Sequence, residues 1–128
     1  MINVCFLMQS FHNGGIETHT KNLTSYLKEK YPTEFCFNFI ATSNPSIHPA
    51  FYKIGHPVFF KNDWARIEKY LRDGKIDVVQ YGNLIEYKNV AIKAGVKKII
   101  ERTAGVRSLG LNKEGVNFVL PLHKVLFL

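Results

Sequence analysis

Residues 11–19, FHNGGIETH, set His12, Asn13, Glu17, Thr18 and His19 around two adjacent glycines, Gly14 and Gly15. A residue without a Cβ lets a ligand approach the backbone closely. Free N–H groups at the start of a helix favour phosphate or another anion. The simpler alternative is a tight turn between two elements, and the stretch taken alone leaves both open. Glu17 favours the start of a following helix, a dipole effect of about 0.3–1 kcal/mol. The histidines at 12, 19, 48, 56 and 123 are not spaced as a metal site, and no Cys-x-x-Cys pair is present. His12 and His19 are neighbours of the glycine loop, without assigned chemistry.

Several familiar phosphate-binding schemes fail. A dinucleotide fingerprint reads G-x-G-x-x-G with an acid closing the second strand. Here the glycines are adjacent, no third follows, and the second strand ends Ala41-Thr42-Ser43. The G-x-x-x-x-G-K-[ST] loop of P-loop nucleotidases is also missing. No aspartate stands at the end of a middle strand to be phosphorylated.

The elements that must carry the loop follow from the apolar pattern. Residues 2–8, INVCFLM, are a continuous apolar run, the signature of a strand buried on both faces. Residues 16–30 predict a helix with Ile16, Leu23, Tyr26 and Leu27 on one side, ended at Tyr31-Pro32. A second strand is expected over 35–41, then a loop over TSNPSIHPAFYKIGHP and a short third strand at 58–60. Asn62 or Asp63 caps a helix to about Arg72, with Trp64, Ile67, Tyr70 and Leu71 inward and Asp73-Gly74 as the stop. A strand over 76–81, a turn at Gly82-Asn83, a helix over 84–94 and a strand over 96–101 complete the pattern. Alternation of this kind, without repeats or hairpin turns, predicts a doubly wound, mostly parallel α/β sheet with helices on both faces. In such sheets ligands bind beyond the carboxyl ends of the strands. Those segments are 9–15, 42–44, 82–84 and 102–108.

The 128 residues suit one domain, and 46% hydrophobic with 21% charged residues is ordinary for a folded protein. Cys5 and Cys36 each sit in an apolar run and read as reduced, buried thiols of a cytoplasmic protein. The N-terminus lacks the features of a signal peptide, and no apolar run approaches the ~20 residues that span a bilayer. The net charge of +7 is spread from Lys21 to Lys124 without a dense cluster. That disfavours nucleic acid as a partner. Phosphorylated small molecules and peripheral contact with the inner membrane face stay open.

The stretch MINVCFLMQSFHNGGIETHTKNLTSYL resembles the opening of the group 1 (family 4 type) glycosyltransferases, retaining enzymes of the GT-B fold that use nucleotide sugars. Gly14, Gly15 and Glu17 match the family's Gly-Gly-x-Glu turn in order and spacing. KIDVVQYGN and VKKIIERTAGVRS are similar to its later strands and turns, so the resemblance runs to about Ser108. It implies a Rossmann-like, acceptor-side N-terminal domain over residues 1–128, incomplete, with the donor-binding domain absent. It implies no metal and no resident cofactor. The partners it implies are a nucleotide-sugar donor, reached through that other domain, and a sugar or lipid-linked acceptor. The substrate-binding residues it implies are Asn13, Gly14, Gly15, Glu17, Asn83, Arg102 and Gly105, with Glu17 bracing the loop. No residue is assigned to catalysis.

Two departures qualify the resemblance. Many relatives have a histidine just after the fifth strand, where this chain places Arg102. Arginine cannot act as a base at neutral pH, but it can pair with phosphate or a sugar hydroxyl. The plain alternative is an exposed arginine at a strand end. The apolar ending VNFVLPLHKVLFL does not match the family's continuation. It predicts self-association through residues 116–128, or a tail folded back onto its own sheet. Two functions stay open: half of a transferase that is inactive alone, or a non-catalytic α/β binding module.

Overall fold

The structure, a computed structural model, describes residues 1–12, 14–82, 84–103 and 118–121, the last four and Thr103 as backbone only. The elements run β1 (Ile2–Met8), α1 (Gly15–Lys30), β2 (Phe35–Ala41), α2 (Ala50–Ile54), β3 (His56–Phe59) and α3 (Trp64–Asp73). They continue as β4 (Val78–Tyr81), α4 (Ile85–Lys93), β5 (Lys98–Thr103) and β6 (Phe118–Pro121). One six-stranded sheet has the order β3-β2-β1-β4-β5-β6, with parallel pairing throughout. The chain winds outward from β1 to β3, returns to β4 beside β1, and winds out the other way. The expected doubly wound α/β architecture is present, and its switch point lies between β1 and β4.

Each face of the sheet has its own core. Against α1 and α2 pack Val4, Phe6, Phe37, Phe39, Val78 and Ile100. Against α3 and α4 pack Cys5, Leu7, Ile40, Val79, Tyr81 and Ile99. Alternate residues of β1 thus feed opposite cores, which is why the strand reads as a continuous apolar run. Burial holds the Cys5 thiol well above its ordinary range. Cys5 is buried, Cys36 half-buried, and both are free thiols.

Four sequence expectations change. The loop expected after β2 contains α2, a helix of five residues. Such a helix is too short to show a period. Tertiary packing selects it: Phe51 stacks edge-on against Phe39 and Phe11, with ring centroids 4.9 and 5.0 Å apart. The third strand begins earlier, at His56, and tolerates Pro57 because β3 is an edge strand. The inner face of α1 is different too. Tyr26 is exposed, whereas Thr20, Thr24 and Leu27 are buried. Both threonines satisfy their hydroxyls on the preceding turn, Thr20 Oγ1 donating to the Ile16 carbonyl at 2.9 Å and Thr24 Oγ1 to that of Thr20 at 2.8 Å. Finally, β5 starts at Lys98 and includes Arg102, because β6 pairs with it from Ile100 to Thr103. Residues 118–121 of the apolar ending therefore extend the chain's own sheet. The rest of that ending lies outside the described residues.

Asp63 is the cap of α3, its carboxylate accepting from the Arg66 amide at 3.2 Å. Among the described residues no helix is long and apolar enough to cross a membrane.

Candidate functional site

A pocket of about 130 Å³ opens at the carboxyl ends of β1 and β4, at the switch point of the sheet. Met8, Gln9 and Ser10 line it from β1 and its loop, Ile16 and Glu17 from the first turn of α1. Gln80, Tyr81, Gly82 and Arg102 complete it from β4 and β5. Two larger hollows lie elsewhere, one beside α3 and β2 and one between α3 and α4, away from the glycine loop.

The rim is tied down by backbone. The Gln9 carbonyl accepts from the amides of Ser43 and Asn44 at 3.0 and 3.1 Å, and the Phe11 carbonyl accepts from His48 at 2.8 Å. Phe11 is fully buried against Phe39 and Phe51, so the loop after β1 is anchored by an aromatic side chain. His12 is exposed, with its Nδ1 3.3 Å from Ser46 Oγ.

Gly14 and Gly15 stand at the junction of β1 and α1, and both are exposed. Gly14 takes φ 156° and ψ 170°, and a Cβ there would sit 2.7 Å from Glu17 Oε2. The Glu17 carboxylate thus folds back over Gly14, where a side chain would collide with it. No atom lies within 4 Å of a Cβ built on Gly15, so that position faces open space. The first N–H groups of a helix lack intrahelical partners. Gly14 offers no side chain to cap those of α1.

Arg102 is the feature that sequence reasoning placed wrongly. It is neither a loop residue nor an exposed strand end: it is 5% exposed, inside β5. Its Nη1 donates to Thr20 Oγ1 at 2.5 Å. Nε and Nη2 are buried and have no hydrogen-bond partner among the described residues. Burial lowers the Arg102 pKa to about 10, with Glu17 acting in the opposite direction through its charge. His19, the residue before Thr20 on α1, is held below its ordinary range by burial and by the charge of Arg102.

Beside Arg102, Gln80 is 2% exposed, and its Oε1 also lacks a partner among the described residues. Gln80 pairs in register with Ile100, which places it on the same face of the sheet as Arg102. Gly82 allows this crowding, since a Cβ there would stand 3.3 Å from the Arg102 carbonyl oxygen.

The structure therefore brings Glu17 and Arg102 to one pocket, with Gly14 and Gly15 at the start of the helix that walls it. Asn13, Asn83 and Gly105 lie outside the described residues. Sequence reasoning missed Gln80 and Thr20. A glutamine inside the apolar strand IDVVQY was a usable signal. Thr20 gave none, since helical threonines are common. Among the described residues no group of three or more His, Cys, Asp or Glu is placed to hold a metal ion.

A parallel sheet wound in two directions, with a polar pocket at its switch point, is the Rossmann-like arrangement of ligand-binding α/β domains. Solved structures that this chain resembles include glycosyltransferases. The apo form of the lipopolysaccharide outer core galactosyltransferase WaaB superposes with a TM-score of 0.59 at 15% identity, over 78% of this chain and 32% of that one. The E. coli ADP-heptose lipopolysaccharide heptosyltransferase II gives 0.58 at 14% identity, over 93% and 34%. An alpha-glucosyltransferase (AGT) in complex with UDP gives 0.50 at 12% identity, over 85% and 30%. The chain has a GT-B glycosyltransferase-like fold and spans about a third of the length of these structures. No family model and no curated protein matches it.

Proposed function

We propose that the chain is the acceptor-side domain of a retaining glycosyltransferase of the group 1, family 4 type. A nucleotide-sugar donor is held by a second domain, and the sugar or lipid-linked acceptor sits against the glycine loop. The observation that carries this reading is the pocket itself. A buried arginine with two donors unpartnered among the described residues meets the first turn of α1 at the switch point of a glycosyltransferase-like fold, and Gly15 faces open space at the start of that helix.

In the reaction, an acceptor hydroxyl oxygen bonds to the anomeric carbon of the donor as the bond from that carbon to the diphosphate breaks. The hydroxyl proton passes to a phosphate oxygen of the departing diphosphate. This chain positions the acceptor, with Arg102 as a charged contact to it, and contributes the positive end of α1. Asn13, Asn83 and Gly105 belong to the same proposed substrate-binding set. The alternative is a non-catalytic α/β binding module.

The test is sugar transfer by the full-length gene product, read as nucleoside diphosphate release. Gly15→Val places a side chain in the open space at the start of α1 and should lower kcat/KM by at least about tenfold with unchanged melting. Arg102→Ala should lower it more than Lys30→Ala, on the exposed end of α1. Unchanged turnover in Gly15→Val, or equal effects of the two charge removals, would overturn the site assignment. Ligand binding with no transfer from any nucleotide sugar would favour the binding module.

A further inference from the structure

We propose that the Arg102 pocket is a subsite for the carboxylate of a hydroxylated acid of the sugar-acid type. This rests on reading the pocket as a sugar-substrate site. Nη1 of Arg102 is committed to Thr20, and the two nitrogens without a partner among the described residues are Nε and Nη2. Their N–H bonds run parallel along one edge of the guanidinium. That edge is the fork that receives both oxygens of a carboxylate.

Three further observations narrow the ligand. Gln80 lines the same pocket with a buried Oε1 that has no partner among the described residues, and a ring hydroxyl of the acid supplies a donor. A fully ionised diphosphate carries acceptors only and leaves that oxygen unpaired. The pocket's 130 Å³ is the space of about four waters. That is room for one oxyanion and its neighbouring hydroxyl. Glu17 stands on the pocket wall and offsets part of the arginine's charge. That favours a single negative charge over two or three.

The experiment is binding to the 128-residue chain, followed by calorimetry and by the side-chain NMR signals of Arg102 Nε–H and the Gln80 amide. The probes are glucuronate, glucose 6-phosphate, glucose and pyrophosphate. Glucuronate should bind at least about tenfold more tightly than glucose or pyrophosphate, and more tightly than glucose 6-phosphate, and should shift both signals. Arg102→Lys keeps the charge but loses the fork and should cost at least about tenfold in glucuronate affinity. Gln80→Leu should cost several-fold, and it decides the matter if Arg102→Lys melts early.

Glucuronate affinity unchanged in a folded Gln80→Leu or Arg102→Lys chain would overturn the subsite. So would tighter binding of pyrophosphate or glucose 6-phosphate. Glucuronate binding without transfer in the full-length product would count against the transferase and leave the subsite standing. Transfer to neutral acceptors with no glucuronate binding would remove the subsite and leave the transferase.

Discussion

Arg102 of β5 donates from Nη1 to Oγ1 of Thr20 on α1 at 2.5 Å, across 82 positions of sequence. The same hydroxyl gives its proton to the Ile16 carbonyl at 2.9 Å, so its lone pair is left to face the guanidinium. One atom thus fixes the helix that starts at the glycine loop to the strand that carries the buried charge. Thr20→Val keeps the shape and removes the acceptor. It should destabilise the chain by about 1–3 kcal/mol, because a buried charge loses its partner. Thr20→Ser should cost much less. Urea unfolding of both variants checks this, and equal stability of Thr20→Val and the parent would show that the bond contributes nothing.

Removing the charge itself should have the opposite sign. Two donors of Arg102 are buried without partners among the described residues, and such a group is carried at a cost to stability. Arg102→Met should be as stable as the parent chain or more so, by about 1 kcal/mol, while ligand binding is lost. A clear loss of stability in chemical denaturation would mean that the charge is satisfied after all.

The two glycines should respond in opposite directions. Gly14→Ala forces a side chain into a backbone conformation it rarely takes, and should cost about 1 kcal/mol. Gly15 is the first residue of α1 with nothing near its Cβ position, so Gly15→Ala should add about 0.4–1 kcal/mol. Thermal melting of the pair is the measurement, and the reverse order would contradict the loop geometry.

His19 reports on the same charge. Its pKa is lowered by burial and by Arg102, so Arg102→Gln should move the ring titration, followed by NMR, back toward the ordinary histidine range. Folding favours the neutral ring, so the unfolded chain takes up a proton first as acid is added. Stability from this residue is therefore lost as pH falls below the ordinary histidine value, and His19→Gln should remove that part of the acid sensitivity. A His19 titration unmoved by Arg102→Gln would separate the two groups.

Much of the fold was legible because its signals are local. The run 2–8 read as a doubly buried strand, Asn62 or Asp63 as the cap of a helix, of which the structure selects Asp63, and the alternation of strands and helices led to a parallel sheet. The glycine pair announced a junction at the carboxyl end of β1, the edge where α/β sheets bind ligands. The short helix α2 was not legible. Five residues carry no period, and Phe51 chooses that conformation only because Phe11 and Phe39 wait for it.

The sequence by itself determined the architecture, the place of the glycine loop and the presence of an arginine near the end of the fifth strand. Only the tertiary structure decided that this arginine is buried. Its burial depends on β6 lengthening β5 past Arg102, and on Thr20 arriving on the inner face of α1. Both partners are remote in sequence, and nothing in the residues around position 102 encodes them. Gln80 illustrates the same point: its type was visible in the strand, but its place on the sheet face that carries Arg102 exists only once β4 and β5 are paired. Local pattern sets the elements. The balance of buried donors and acceptors, from which the site's chemistry follows, is a property of their packing.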